Sequence, residues 1–110
     1  MTLSRKSIDQ AVSPFYEEWA DLRQQMQSCF QQQADDCREL IAQGYGVYKA
    51  LQKTLVGLFG SAAPSPLNES ERLEFVRNSK SAHAASRQLE QLFGELKKKI
   101  ARIKIGYPAE

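Results

Sequence analysis

Bulky apolar residues fall along this chain at Phe15, Trp19, Leu22, Met26 and Cys29. The steps of four and three keep them on one stripe of a helix. Strict continuation would put Gln33 and Asp36 in the seam. The apolar series shifts instead through Phe30 to Cys37, Leu40, Ile41, Tyr45, Tyr48, Leu51, Leu55 and Leu58, a stutter that unwinds a supercoil locally. A second stripe opens with Leu73 and Val76 and closes with Leu89, Leu92, Phe93, Leu96, Ile100 and Ile103, while large apolar residues vanish over Ser79–Ser86.

Punctuation sets the predicted limits. Ser13-Pro14 reads as an N-cap followed by proline at the first helical position, with Ser7 and Gln10 able to cap a short helical turn before it. Gly60 and the prolines at 64 and 66 end the first arm. Asn68, with Glu71 three residues on, opens the second as in a capping box, and Gly106-Tyr-Pro108 stops it. The pattern predicts a single all-α domain. It comprises an N-terminal arm or short helix at 1–13, a long helix at 14–59, a loop at 60–68, a second long helix at 69–104 and a tail at 105–110, together a long antiparallel, coiled-coil-like hairpin.

Folded at that loop, the arms bring Cys37 to Leu92, Phe30 to Ile100 and Met26 to Ile103. They also set Gly44 and Gly46 opposite Ala82, Ala84 and Ala85, a site of close helix approach, since missing side chains let backbones come nearer than the usual 8–10 Å. The alternative is a three-helix bundle broken at Gly44–Gly46. In the hairpin the first arm outruns the second, so Phe15, Trp19, Leu22 and Met26 overhang its open end as a partner-binding surface. A bundle completed by dimerisation, as a homodimer or hetero-oligomer, is the expectation.

Composition adds little to this picture. With 42% hydrophobic and 25% charged residues the chain is of ordinary globular type. Its net charge of +2 is too small to argue for nucleic acid. The positive excess lies late, in Lys97, Lys98, Lys99, Arg102 and Lys104, a candidate anion-binding stretch that complementarity to the negative helix end also explains. Cys29 and Cys37, placed on one continuous helix, would stand about 12 Å apart along its axis, too far for a bridge. Both then read as buried thiols of a reducing compartment. No signal peptide and no transmembrane segment is read, which makes the cytoplasm the default location and leaves export without a cleaved signal open.

No metal-ligand set, phosphate loop or nucleophile elbow is present. Glu17-Glu18 and Asp35-Asp36 diverge by about 100° on a helix and read as solvated surface. His83 alone invites a sharper reading. His83-Ala-Ala-Ser-Arg87 on a small helical protein resembles the His-x-x-Lys-Gly pattern of histidine-phosphotransfer domains, with the basic residue one place late and no glycine. The resemblance implies an exposed, phospho-accepting imidazole. The general build is also similar to that of helical-hairpin chaperones and regulators of bacterial secretion systems. The sequence is therefore read as a non-catalytic protein–protein interaction module without cofactors, a small adaptor, chaperone or regulator. The alternative is a signalling or regulatory module that works through His83 or through the basic helix end on anionic membrane or nucleic acid.

Overall fold

The structure, a computed structural model, describes residues 3–32 and 37–109. Among them the chain is all-helical: α1 (Arg5–Gln31), α2 (Cys37–Phe59), a 3-10 turn (Gly60–Ala62), α3 (Glu69–Asn78) and α4 (Ala82–Lys104). Gln33, Asp35 and Asp36 lie outside the described residues.

The first helix starts well before Pro14. Ser4 is its N-cap, accepting from the Ser7 backbone N–H while the Ser7 hydroxyl accepts from the Ser4 N–H. This reciprocal arrangement satisfies two donors that a helix start would otherwise orphan. Pro14 sits inside α1, which corrects the N-cap reading of Ser13. The ring removes the N–H that would reach the Gln10 carbonyl, but Gln10 and Pro14 are both exposed, so water can serve that acceptor.

Two further corrections follow from where the long arms are cut. The first arm breaks between Gln31 and Cys37, and Gly44 and Gly46 both lie inside α2, so neither the continuous helix nor the three-helix alternative holds. Cys29 and Cys37 consequently belong to different helices, their Cα atoms 5.8 Å apart, and they form a disulfide. The exclusion of that bridge assumed a straight helix through both residues. The second arm breaks at Ser79–Ser81. There the Ser79 hydroxyl donates to the Ser81 carbonyl and accepts from the Ser81 N–H, and the Ser81 hydroxyl accepts from the Ala84 N–H as the N-cap of α4. Serine hydroxyls that offer the backbone such partners compete with helical continuation. Asn68 does precede α3, but in a left-handed conformation and without a side-chain cap bond.

Side-chain pairs fix the topology. Asp9 meets Lys104, Tyr16 meets Lys97, Arg23 meets Glu90 and Phe30 meets His83. Each step is one heptad forward on α1 and one back on α4, so these helices run antiparallel in register. Gly44 lies against Leu89, and Tyr48 against Phe93, so α2 and α4 run parallel. Arg72 to Glu95 sets α3 antiparallel to α4, and the disulfide joins adjacent ends of α1 and α2. The result is an up-down-up-down bundle with α2 and α4 in contact at its centre, α1 and α3 on opposite flanks, and overall extents of 47 × 25 × 18 Å. Between α2 and α4 the predicted antiparallel pairing is thus replaced by a parallel one, while α1 stays antiparallel to α4 in a shifted register. Phe30 meets His83 instead of Ile100, and Met26 meets Gly44 instead of Ile103.

The two ends of the described chain are tied together. The Arg5 and Lys6 backbone N–H groups donate to the Pro108 and Ala109 carbonyls at 2.7 and 3.3 Å. The Arg5 guanidinium donates to the Lys104 and Ile105 carbonyls, both at 3.0 Å. Orphan donors of α1 and orphan acceptors of α4 are satisfied by the same contact. No helix among the described residues is long and apolar enough to cross a membrane.

Candidate functional site

The residues expected at an exposed tip are mostly inside. Trp19 retains 5% exposure, Leu22 and Met26 are equally enclosed, and Phe15 is half-buried against the same core. The seam they form is covered by α2 and α4 of the same chain, because the arms fold into four shorter helices and leave no overhang. Trp19 stacks on Phe93 with centroids 4.3 Å apart, while Tyr16 and Tyr48 meet Phe93 edge-on at 5.9 and 5.0 Å. Phe93 is therefore the hub of an aromatic cluster drawn from α1, α2 and α4.

The proposed close approach is also redistributed. A Cβ on Gly44 would stand 3.0 Å from Trp19 Cζ3, 3.1 Å from Leu89 Cδ1 and 3.2 Å from Met26 Cε, so this glycine makes room for side chains and not for the Ala82–Ala85 backbone. Gly46 is exposed with nothing within 4 Å of such a Cβ. Ala85 is fully buried, and Ala82 and Ala84 are half-buried. His83 is exposed in the first turn of α4, its ring 4.8 Å from that of Phe30.

The late cations do not converge. Lys104 pairs with Asp9, and Lys97 lies over the Tyr16 ring at 5.7 Å, both turned toward α1. Lys98 and Arg102 are exposed and Lys99 is half-buried; after the bond from Arg72, the Lys99 and Lys98 charges also help to lower the Glu95 carboxyl.

What the sequence reading did not anticipate is a polar chain through the other half of the bundle. The Tyr48 hydroxyl, on a residue with no solvent exposure, donates to Glu69 Oε2. One turn along α3, Arg72 forks onto Glu95 and also donates to the Leu67 carbonyl at 3.1 Å. Burial, and then the bond to Glu69, pushes the Tyr48 phenol far above its ordinary range. The bidentate bond to Arg72 lowers Glu95. The signal was available as Glu69 and Arg72, three apart on α3 and therefore on one face, but their partners depend on which helices neighbour α3.

Beside this chain lies an open groove of about 860 Å³ between the outer face of α2 and the 60–65 segment. Lys49 and Lys53 stand one helical turn apart on its rim, and Ala50, Val56, Ala63 and Pro64 give it an apolar lining. Glu69 also reaches it, but its carboxylate is engaged by Tyr48. Among the described residues no carboxylate lies within ion-pair distance of Lys49 or Lys53. Val56 keeps 57% of its surface exposed. Cationic and aliphatic side chains thus share one groove, which Ser61, Ser65 and Glu69 also line.

No curated protein and no solved structure matches this chain. A protein family does match, described as YpoC-like protein, over residues 9–107, a span from the first turns of α1 to the tail beyond α4. The chain belongs to the YpoC-like protein family.

Proposed function

We propose that this protein is a non-catalytic interaction module that receives an acidic, apolar segment of a partner protein in the groove between α2 and the 60–65 segment. One observation supports this reading above the others: Lys49 and Lys53, without a carboxylate partner among the described residues, border an aliphatic lining that includes the exposed Val56. A segment that laid aliphatic side chains on Val56, Ala63 and Pro64 and carboxylates beside Lys49 and Lys53 would bury the apolar area and neutralise the rim together. Grooves of several hundred cubic ångströms are typical of recognition sites, and an amphipathic helix laid into such a groove is a common mode.

Peptide display on the immobilised, folded protein tests the idea. The selected peptides are expected to combine Asp or Glu with aliphatic residues one helical turn away. Binding of a synthetic copy should weaken at least tenfold in a Lys49→Glu, Lys53→Glu double variant and decline with added salt. Selection of basic or uniformly polar peptides, or affinity that survives the charge reversal, would falsify it. Retention on vesicles rich in anionic lipid that is lost in the same double variant, with no peptide selected, would move the assignment to a membrane surface.

A further inference from the structure

The outer side of α3 carries what the groove on α2 lacks. Glu71, Glu74 and Phe75 are all exposed, and steps of three and four residues put them on one side of that helix. Phe75 keeps 48% of its surface, and Leu67, just ahead of the helix, keeps 76%. Neither Glu71 nor Glu74 has an ion-pair partner among the described residues. The cations of α3 are directed elsewhere, Arg72 onto Glu95 and Arg77 over the Tyr45 ring. This face is therefore acidic and apolar. The groove is basic and apolar: Lys49 and Lys53 border it, Glu69 is engaged by Tyr48, and Glu39, the one carboxylate of α2, does not line it.

We propose that the segment received by the groove is the outer face of α3 from a second copy of this chain, an inference that rests on reading the groove as the receptor of an acidic, apolar segment. The two patches agree in spacing as well as in charge. With α3 of the second copy laid antiparallel to α2, Glu71 beside Lys53 places Glu74 beside Lys49, because each pair is about one helical turn apart. The same register carries Leu67 toward Val56, both more than half exposed. It also sets Phe75 over Gly46 and Ala50, exposed positions where α2 offers nothing larger than a methyl group and where a Cβ on Gly46 would meet open space.

Symmetry doubles the contact. Glu69 of α3 lines the groove, so the acidic face and the groove adjoin on one molecule, and a two-fold axis lets each copy insert its α3 while receiving the other's. Such an isologous pairing closes at two chains. Its charge pairs lie at the surface, so the association weakens as salt is added.

Sedimentation equilibrium of the full chain, from micromolar to millimolar concentration, reads the pairing. The mass is expected to climb from 12.4 kDa toward twice that value. The Lys49→Glu, Lys53→Glu variant and the Glu71→Lys, Glu74→Lys variant should each self-associate at least about tenfold more weakly, since each then opposes like charges. All four side chains are exposed, so neither reversal disturbs the core. Mixed in equal amounts, the two variants should pair again, because an acidic groove then meets a basic α3 and a basic groove an acidic one. Phe75→Gln, with every charge in place, should also weaken the pair. A wild-type chain that stays monomeric, self-association that survives either reversal or the Phe75 change, or a mixture that does not pair overturns the proposal. A monomer whose groove still takes acidic peptides, with binding lost in Lys49→Glu, Lys53→Glu, removes the second copy and leaves the groove reading in place. A monomer from which no acidic peptide is selected removes both.

Discussion

Gly44 and Gly46 are two residues apart on one helix and carry opposite predictions. At Gly44 a methyl group would press on Trp19, Leu89 and Met26, all within 3.2 Å, and Trp19 cannot retreat because it is stacked on Phe93. Overpacking of this kind costs about 1–3 kcal/mol, which exceeds the roughly 1 kcal/mol that alanine gains over glycine in a helix. Gly44→Ala should therefore destabilise by about 1 kcal/mol, and Gly46→Ala, with open space around it, should stabilise by about 0.5–1 kcal/mol. Urea denaturation of the pair distinguishes them. Tyr48 supplies a second expectation. Burial, and then the bond to Glu69, raises its folded pKa above the unfolded value of about 10. The unfolded chain releases that proton first, so the associated stability is present below pH about 10 and is lost as pH rises. Tyr48→Phe should lose about 1 kcal/mol at neutral pH with the hydrogen bond, yet decline less steeply in alkali when followed by circular dichroism. The small-residue signal at Gly44 was legible in the sequence, but its meaning was not. A glycine reports that room is needed, and only the neighbouring helices tell what fills it.

At the scale of elements, periodicity reported the buried faces faithfully: Trp19, Leu22, Met26, Ile41, Tyr48, Leu51, Leu55, Leu89, Leu92, Phe93, Leu96 and Ile100 all lie in the core. What it reported poorly was where the rods stop. The stutter after Cys29 and the polar run over Ser79–Ser86 were both visible, and each marks a real break. Read without the competing serine bonds and the bridge between Cys29 and Cys37, however, they passed for irregularities inside longer helices. Pro14 misled in the other direction, because proline at a first helical turn and proline on a solvated face look alike in sequence. Pro14→Ala should restore the N–H for the Gln10 carbonyl without creating a clash at this exposed position. An increase of roughly 1 kcal/mol in stability is expected by thermal unfolding; no gain would mean that the ring is better accommodated than its place in α1 implies.

For the whole molecule, the difference between a two-rod hairpin and the four-helix bundle lies in which surface remains available. A hairpin leaves its aromatic stripe bare and so requires a second chain. The bundle encloses Trp19 and Phe93 within itself and leaves the lysine-bordered groove on α2 open at its surface. The candidate site was thus less legible than the fold. Lys49, Lys53 and Val56 are unremarkable along the sequence, and they become a surface only when the 60–65 segment folds back beside them.

The bond from the Arg5 N–H to the Pro108 carbonyl has a topological corollary. With those positions already neighbours, the path of the chain is nearly a closed circle, and the place where it is cut becomes a matter of convenience. A circular permutant that joins the old ends through a short glycine-rich linker and opens at Ser65, an exposed position between α2 and α3, should keep the native near-ultraviolet spectrum and cooperative melting. A permutant that melts without cooperativity would show that the order of synthesis, and not proximity alone, specifies this bundle.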